Sequence, residues 1–276
     1  MVADYRYSLG VIGVGNMGAA LVRGCVRGQA LPATELVVWD VDQARAQALQ
    51  EELGVAVAEG NGRLVADSAA VLLAVKPQSL PLLLSGLAGA WRSRQLVISI
   101  AAGVPLARLR AWVSTGVSVV RVMPNLPATV GAAAAAYCAG PEVSEAHMAL
   151  VQQLLSSVGL AVSVSEDLMD AVTGLAGSGP AFAAIFCEGL ADGGVAAGLP
   201  RAVAQQLAAQ VLVGAGQWIL QGGSPAALKD AVSSPGGTTI AGVERLEAGG
   251  LRGTALAAVQ AAARRAAELG RESDQQ

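Results

Sequence analysis

Six residues, Gly13-Val14-Gly15-Asn16-Met17-Gly18, follow a short apolar run, Leu9 to Ile12, and open a helical pattern. This spacing limits the fold more than any other feature of the chain. The first glycine permits a tight turn, the second lets the backbone approach a pyrophosphate, and the third lets helix and strand pack closely. The free N–H groups of the helix start favour phosphate. Further apolar runs follow at Leu36 to Trp39, Val71 to Val75, Leu96 to Ile100 and Val117 to Val122. Between them lie amphipathic stretches such as Gln43 to Leu53, with Ala44, Ala48 and Leu49 expected on one face. Strand-helix alternation of this kind predicts a parallel sheet with crossover helices. A later pair, Ala132 to Tyr137 and Ala161 to Val164, brackets a helix from Ser144 to Val158.

In such a sheet, ligands sit outside the carboxyl ends of the strands. Ile12, Gly13, Gly15, Asn16, Met17 and Gly18 therefore become candidates for holding a dinucleotide. Asp40 ends the second strand, where an acid accepts hydrogen bonds from the adenosine ribose and repels a 2′-phosphate. Read alone it favours NADH; it could equally cap the helix starting near Gln43. The next phosphate partner along the chain is Arg45. Ala74, Val75, Lys76 and Pro77 end the third strand, and Ala101 and Ala102 follow the fourth, so both loops face the same crevice.

The pattern changes near Glu166. From there no period-2 segment appears, and Ala-rich stretches of helical length are broken at Gly177 to Pro180, Gly198 to Pro200, Gly222 to Pro225 and Pro235 to Gly237. Residues 1–165 read as a Rossmann-type α/β domain and 166–276 as an all-α domain. The tail from Arg271 to Gln276 is polar and expected to fray. The loop Ser233-Ser234-Pro235-Gly236-Gly237-Thr238-Thr239 leads into a helix and exposes N–H groups and hydroxyls, an arrangement that suits a carboxylate. Ordinary helix capping is the alternative there.

Composition narrows the chemistry. The net charge is −3, and the chain holds one histidine, His147, and two lysines, Lys76 and Lys229. That excludes a dense phosphate-binding surface, a multi-histidine metal site and a Ser-His-Asp triad with a spare base. No metal is expected, and neither nucleic acid nor membrane is an expected partner. Cys25, Cys138 and Cys187 are far apart and read as free thiols of a cytoplasmic protein. The first residues lack the long apolar region of a signal peptide. Gln205 to Gln221 interrupt one charge-free stretch, and Pro124, Asn125 and Pro127 another, so neither is a clean membrane span. Because 53% of residues are hydrophobic, the excess apolar surface is expected in a subunit interface. His147 is expected at the surface or in a local hydrogen bond. The four tryptophans read as core or interface residues.

Several segments together resemble the pyrroline-5-carboxylate reductases: Asp170-Ala171-Val172-Thr173-Gly174, Gly177-Ser178-Gly179-Pro180-Ala181, Ala191-Asp192-Gly193-Gly194-Val195, and Leu228-Lys229-Asp230 with Ser233 to Ile240. The resemblance runs from Gly13 to about Arg265. It implies reduction of L-1-pyrroline-5-carboxylate to L-proline by NADPH or NADH, the last step of proline biosynthesis. It implies a helical dimerisation domain of the 6-phosphogluconate-dehydrogenase-like C-terminal type that interleaves with a second chain, and often five dimers. It also places Asn61 on the cofactor, and Ala74 to Pro77 with Ala101 and Ala102 along the nicotinamide half. Thr239 would contact the substrate ring nitrogen, and Ser233 with Pro235, Gly236, Gly237 and Thr238 would bind the carboxylate. Two positions depart from the family pattern. Leu126 replaces the usual threonine of Met-Pro-Asn-Thr-Pro, and Asp40-Val41-Asp42 stands where NADPH users carry a small hydroxyl residue or a nearby Arg.

Hydride addition to a cyclic imine needs a positioned ring and a partner for nitrogen rather than strong acid–base groups, so a chain with one histidine can serve. A β-hydroxyacid-type dehydrogenase is the rival enzyme, with Lys229 as its acid or base. A non-catalytic dinucleotide-binding regulator is the rival outside enzymology.

Overall fold

The structure, a computed structural model, describes residues 5–273. The last three residues of the tail lie outside the described residues, and the final helix runs on to Ser273, past the expected fraying point at Arg271.

Eight strands form one sheet: β1 (Tyr7–Ile12), β2 (Leu36–Trp39), β3 (Ala56–Val57), β4 (Ser68–Leu73), β5 (Leu96–Ser99), β6 (Ser118–Met123), β7 (Ala133–Ala139) and β8 (Gly159–Ser163), in the order β3-β2-β1-β4-β5-β6-β7-β8. All neighbours are parallel except β6 and β7. The reversal has a simple cause: too few residues separate β6 from β7 for the dozen or more that a parallel crossover needs. A helix over Glu145–Ser156 supplies that length between β7 and β8, which are parallel again. The third expected strand stops at Leu73, and Ala74 to Lys76 turn away before Pro77.

Six helices cover the sheet: α1 (Asn16–Arg27), α2 (Gln43–Leu53), α3 (Asn61–Asp67), α4 (Leu80–Ser85), α5 (Leu106–Trp112) and α6 (Glu145–Ser156). Alternate strand residues feed two cores. Leu36, Val38, Leu72, Ile98 and Val120 pack with α1, α2 and α6, while Val37, Val71, Leu73, Val97 and Val119 pack with α3, α4 and α5. On α2 the buried residues are Ala46 and Leu49, with Leu53 partly buried against them. The expected face of Ala44 and Ala48 is exposed: the i, i+3, i+7 series starting at Ala46 is the one that reaches the core. His147 on α6 is half-buried, its Nδ1 buried without a partner, and burial holds its pKa below the ordinary histidine value.

Six further helices complete the chain: α7 (Met169–Val172), α8 (Gly179–Ala196), α9 (Arg201–Leu220), α10 (Pro225–Ala231), α11 (Thr238–Ala248) and α12 (Leu251–Ser273). Packing divides the chain into two units. One runs to Ser178 and takes back the chain from Ala261; the other is Gly179–Gln260. In the second unit the buried residues are few and small: Ala191, Ala204 and Ala208. Val203, Leu207 and Val211 make an exposed i, i+4, i+8 stripe on α9.

The expected break at Gly177 to Pro180 is not a loop. Thr173–Gly177 form a π-helical turn between α7 and α8, closed by Ser178 N–H donating to the Thr173 carbonyl at 3.0 Å. Pro180 has no N–H for the carbonyl four residues back, Ala176. The Asn125 side chain, buried after β6, donates to that carbonyl at 2.9 Å and accepts the Ala134 N–H at 3.0 Å. Asn125→Ala strands both groups and is expected to lower stability by about 1–3 kcal/mol, read from urea denaturation without ligand.

Candidate active site

The carboxyl ends of β1, β2, β4, β5 and β6 border one crevice of about 1000 Å³. Its floor is the glycine loop. Gly13 sits at φ +92°, and a Cβ there would stand 2.7 Å from the Ala74 carbonyl oxygen. At Gly18 a Cβ would stand 2.0 Å from the Gly13 carbonyl oxygen, so the third glycine is what lets α1 lie against the loop. Gly15 has open space, its nearest neighbour being Arg45 Nη1 at 3.6 Å from the added carbon. The three glycines thus do the three separate jobs that the motif requires.

Ile12, Gly13, Gly15, Asn16 and Met17 line the crevice. Gly18 is buried behind the loop and does not reach its wall. Ala74, Val75, Lys76 and Pro77 line it from the end of β4, and Ala101 and Ala102 from the end of β5. Lys76 is exposed and has no ion-pair partner among the described residues. Asn61, the first residue of α3, also lines the crevice; its Oδ1 is buried and lacks a hydrogen-bond partner. A buried acceptor left without a donor costs free energy, and a hydroxyl or amino group of a bound dinucleotide would relieve it. This orphaned atom and the open face of Gly15 fit the cofactor that the loop implies.

Asp40 lines the crevice but is only 7% exposed. Its Oδ2 accepts the Val14 N–H at 2.7 Å, and its Oδ1 accepts the Asp42 N–H at 2.9 Å. The acid therefore ties the glycine loop to the end of β2. It does not cap α2, whose cap position is Asp42, though the Gln43 side chain donates to the Asp40 carbonyl. Arg45, the first helical turn's cation, pairs through Nε with Asp42 at 3.1 Å and lines the crevice beside Gly15.

Several crevice residues have no strong signal in the sequence. Trp39 is one, contributing to the wall as well as to the core. Val41 and Leu82 are others, 84% and 82% exposed at the rim. Met123 and Pro124, at the end of β6, complete the wall. Leu126 is 60% exposed and contributes nothing to it, so the family's threonine position lies off the crevice here.

The loop Ser233 to Thr239 belongs to the second unit. Ser233 Oγ donates to the Lys229 carbonyl and closes α10. Gly236 takes φ +65°, and Gly237 precedes α11 with no side-chain cap, so the first N–H groups of α11 have no partner within the helix. Thr239 is half-buried in the first turn. Lys229 pairs with its neighbour Asp230. The thiols of Cys25 and Cys138 are both pushed up to about 11 by burial, which removes them as nucleophiles at neutral pH.

A family model described as pyrroline-5-carboxylate reductase dimerisation matches residues 166–269, and one described as NADP oxidoreductase, coenzyme F420-dependent, matches residues 8–103. The pyrroline-5-carboxylate reductase of Synechocystis sp. is 46% identical over 264 residues, covering 95% of this chain and 98% of that protein. The chain belongs to the pyrroline-5-carboxylate reductase family. The reductase structure from Coxiella burnetii matches with a TM-score of 0.89 at 31% identity, covering 96% of this chain and 98% of the other. The Plasmodium falciparum pyrroline carboxylate reductase, solved with NADP bound, gives 0.83 at 29% identity, covering 97% and 100%. The family's dimerisation domain accounts for the apolar surface of the helices. Glu166–Ala196 is long and apolar enough by composition to cross a membrane and 11% of its apolar window is buried, yet it lies within the dimerisation match. Self-association, rather than a core of its own, is what covers such helices.

Because both oxygens of Asp40 accept N–H groups, asparagine cannot replace it in either orientation. Asp40→Asn is expected to cost about 1–3 kcal/mol in the absence of any dinucleotide, measured by urea denaturation. An acid that served ligand binding alone would leave that value unchanged.

Proposed function

We propose that this chain reduces L-1-pyrroline-5-carboxylate to L-proline with NADPH or NADH. One observation carries the reading: a glycine-loop crevice with an orphaned Asn61 acceptor, in a chain matching named reductases nearly end to end. The rival hydroxyacid reading is not favoured, since the relatives matched nearly end to end are pyrroline-5-carboxylate reductases.

A reduced nicotinamide bound in the crevice supplies the hydride. The glycine-loop N–H groups and the start of α1 hold the pyrophosphate. Asn61 takes a donor from the adenosine side, and Val41 and Leu82 cover the base. Ala101 and Ala102, with Ala74 to Pro77, leave room for a flat ring at the other end. In the helical domain, which we take to begin at residue 166 and to bind substrate as well as partner, Ser233 and the Pro235 to Thr238 backbone hold the carboxylate. The unfilled N–H groups of α11 suit that charge. Thr239 Oγ1 accepts the N–H of the protonated ring nitrogen, whose proton comes from solvent; a threonine hydroxyl is too weak an acid to deliver it. Protonation makes the ring carbon a better hydride acceptor. We further propose assembly beyond the dimer, to five dimers, in the cytoplasm.

The test is loss of absorbance at the reduced-nicotinamide band with the cyclic imine. Turnover is expected with the native chain, and its absence with both dinucleotides would remove the assignment. Thr239→Ala is expected to lower turnover about 10- to 100-fold while dinucleotide affinity stays nearly unchanged.

Cofactor choice turns on Arg45. Each oxygen of Asp40 already accepts one backbone N–H, while Arg45 pairs with Asp42 through Nε and brings Nη1 beside Gly15. We read this as acceptance of NADPH alongside NADH, with Arg45 meeting the 2′-phosphate. Arg45→Gln should weaken NADPH about tenfold relative to NADH, a ratio obtained by titrating each against the protein's fluorescence.

A further inference from the structure

We propose that Gly177 is a positioning residue for the nicotinamide end of the crevice, and that it acts through Met123. The proposal rests on the dinucleotide reading of the crevice and deepens it. Met123 ends β6 and lines the crevice with Pro124, next to the strand that delivers Ala101 and Ala102. Behind it stands the π-turn. A Cβ on Gly177 would lie 2.6 Å from Met123 Cε, and the next neighbour, Thr173 Cγ2, would lie at 3.7 Å. The terminal methyl of one methionine is therefore the sole close obstacle to a side chain at position 177.

The same turn holds the chain that leaves β6 at a second point. Asn125, two residues beyond Met123, donates to Ala176, the residue before Gly177. Two consecutive residues of the turn thus meet the end of β6 and the chain just beyond it, one through a hydrogen bond and one through a contact that leaves no room for a methyl group. A π-turn costs regular hydrogen bonding, and such turns occur frequently at functional sites. Here the wider turn brings the backbone of Gly177 against a thioether that forms crevice wall. Methionine has three rotatable bonds and a polarizable sulfur that packs well on aromatic rings. Its position is set from behind by the bare glycine.

An added methyl at position 177 would push Met123 rather than break the fold, because the far end of a flexible chain yields cheaply. Met123 must give by roughly 0.8 Å to restore ordinary contact, and the space it borders is the crevice. The substitution is thus expected to leave the fold intact and spoil the ring's seat.

The experiment uses four full-length proteins: native, Gly177→Ala, Met123→Ala and the double variant. Affinities for NADH and NADPH come from fluorescence titration, and melting temperatures are taken without ligand. Gly177→Ala is expected to weaken both dinucleotides about tenfold with a melting temperature within about 3 °C of native. In the Met123→Ala background the same change is expected to do nothing further, since the colliding methyl is gone. Equal losses in both backgrounds, or no loss in Gly177→Ala, would overturn the proposal. A Gly177→Ala protein too unstable to titrate overturns it as well, because the added carbon would then meet something stiffer than a thioether. A native chain that binds dinucleotide but leaves the imine unreduced removes the substrate assignment and not this one; a native chain that binds neither dinucleotide removes both.

Discussion

Two missing methyl groups set the position of helix α1, and the crevice follows from that position. A side chain at Gly18 would occupy the Gly13 carbonyl, and one at Gly13 would occupy the Ala74 carbonyl. With both absent, the loop after β1 lies flat against the end of β4, and the helix starts directly above it. The first turn of α1 then borders the crevice through Asn16 and Met17. Most of the remaining wall is placed by parallel strands that all end at the same edge, with Asn61 of α3 and Leu82 of α4 added at its side. A parallel sheet delivers loops from β1, β2, β4, β5 and β6 to one side without further instruction.

Asp40 shows how one residue joins folding to binding in such a crevice. Its position at the end of β2 marks it, from sequence, as a ribose acceptor. In the structure its two oxygens hold Val14 and Asp42, so it fixes the shape of the glycine loop before any ligand arrives. A carboxylate has about four acceptor sites, so these two bonds leave capacity for ribose hydroxyls. Arg45 stands in solvent at the rim of the same crevice. On the proposed reading, cofactor choice depends on Arg45 together with this acid.

The sheet was legible because its signals are local. Strands of four to six branched residues, such as Leu36 to Trp39, and a glycine triplet at fixed spacing can be read without knowing what lies opposite. The crevice residues on strand ends were legible for the same reason. What escaped depends on partners distant in sequence. The face of α2 turned on whether Ala44 or Ala46 begins the buried series, a choice set by the sheet beneath it. Trp39, Val41 and Leu82 read as ordinary apolar residues until the fold brings them to one rim. The reversal of β7 was written in the short β6–β7 connection, a signal that strand patterning alone does not weigh.

Gly177 to Pro180 misleads for a subtler reason. Glycine and proline stop helices because one costs backbone entropy and the other removes a donor. Both statements hold here, yet the chain stays helical. The donor that Pro180 cannot supply comes from Asn125, more than fifty residues earlier in sequence, and the entropy lost at Gly177 gives a backbone bare enough to face Met123. Gly177 is matched by Met123 at the end of β6 and Pro180 by Asn125 just beyond it. Local rules count the cost of such residues and have no way to see the compensation. A run of helix breakers inside an otherwise helical stretch is therefore a place to look for a distant side-chain amide and a close-packed neighbour. In this chain both belong to the segment that forms the crevice wall.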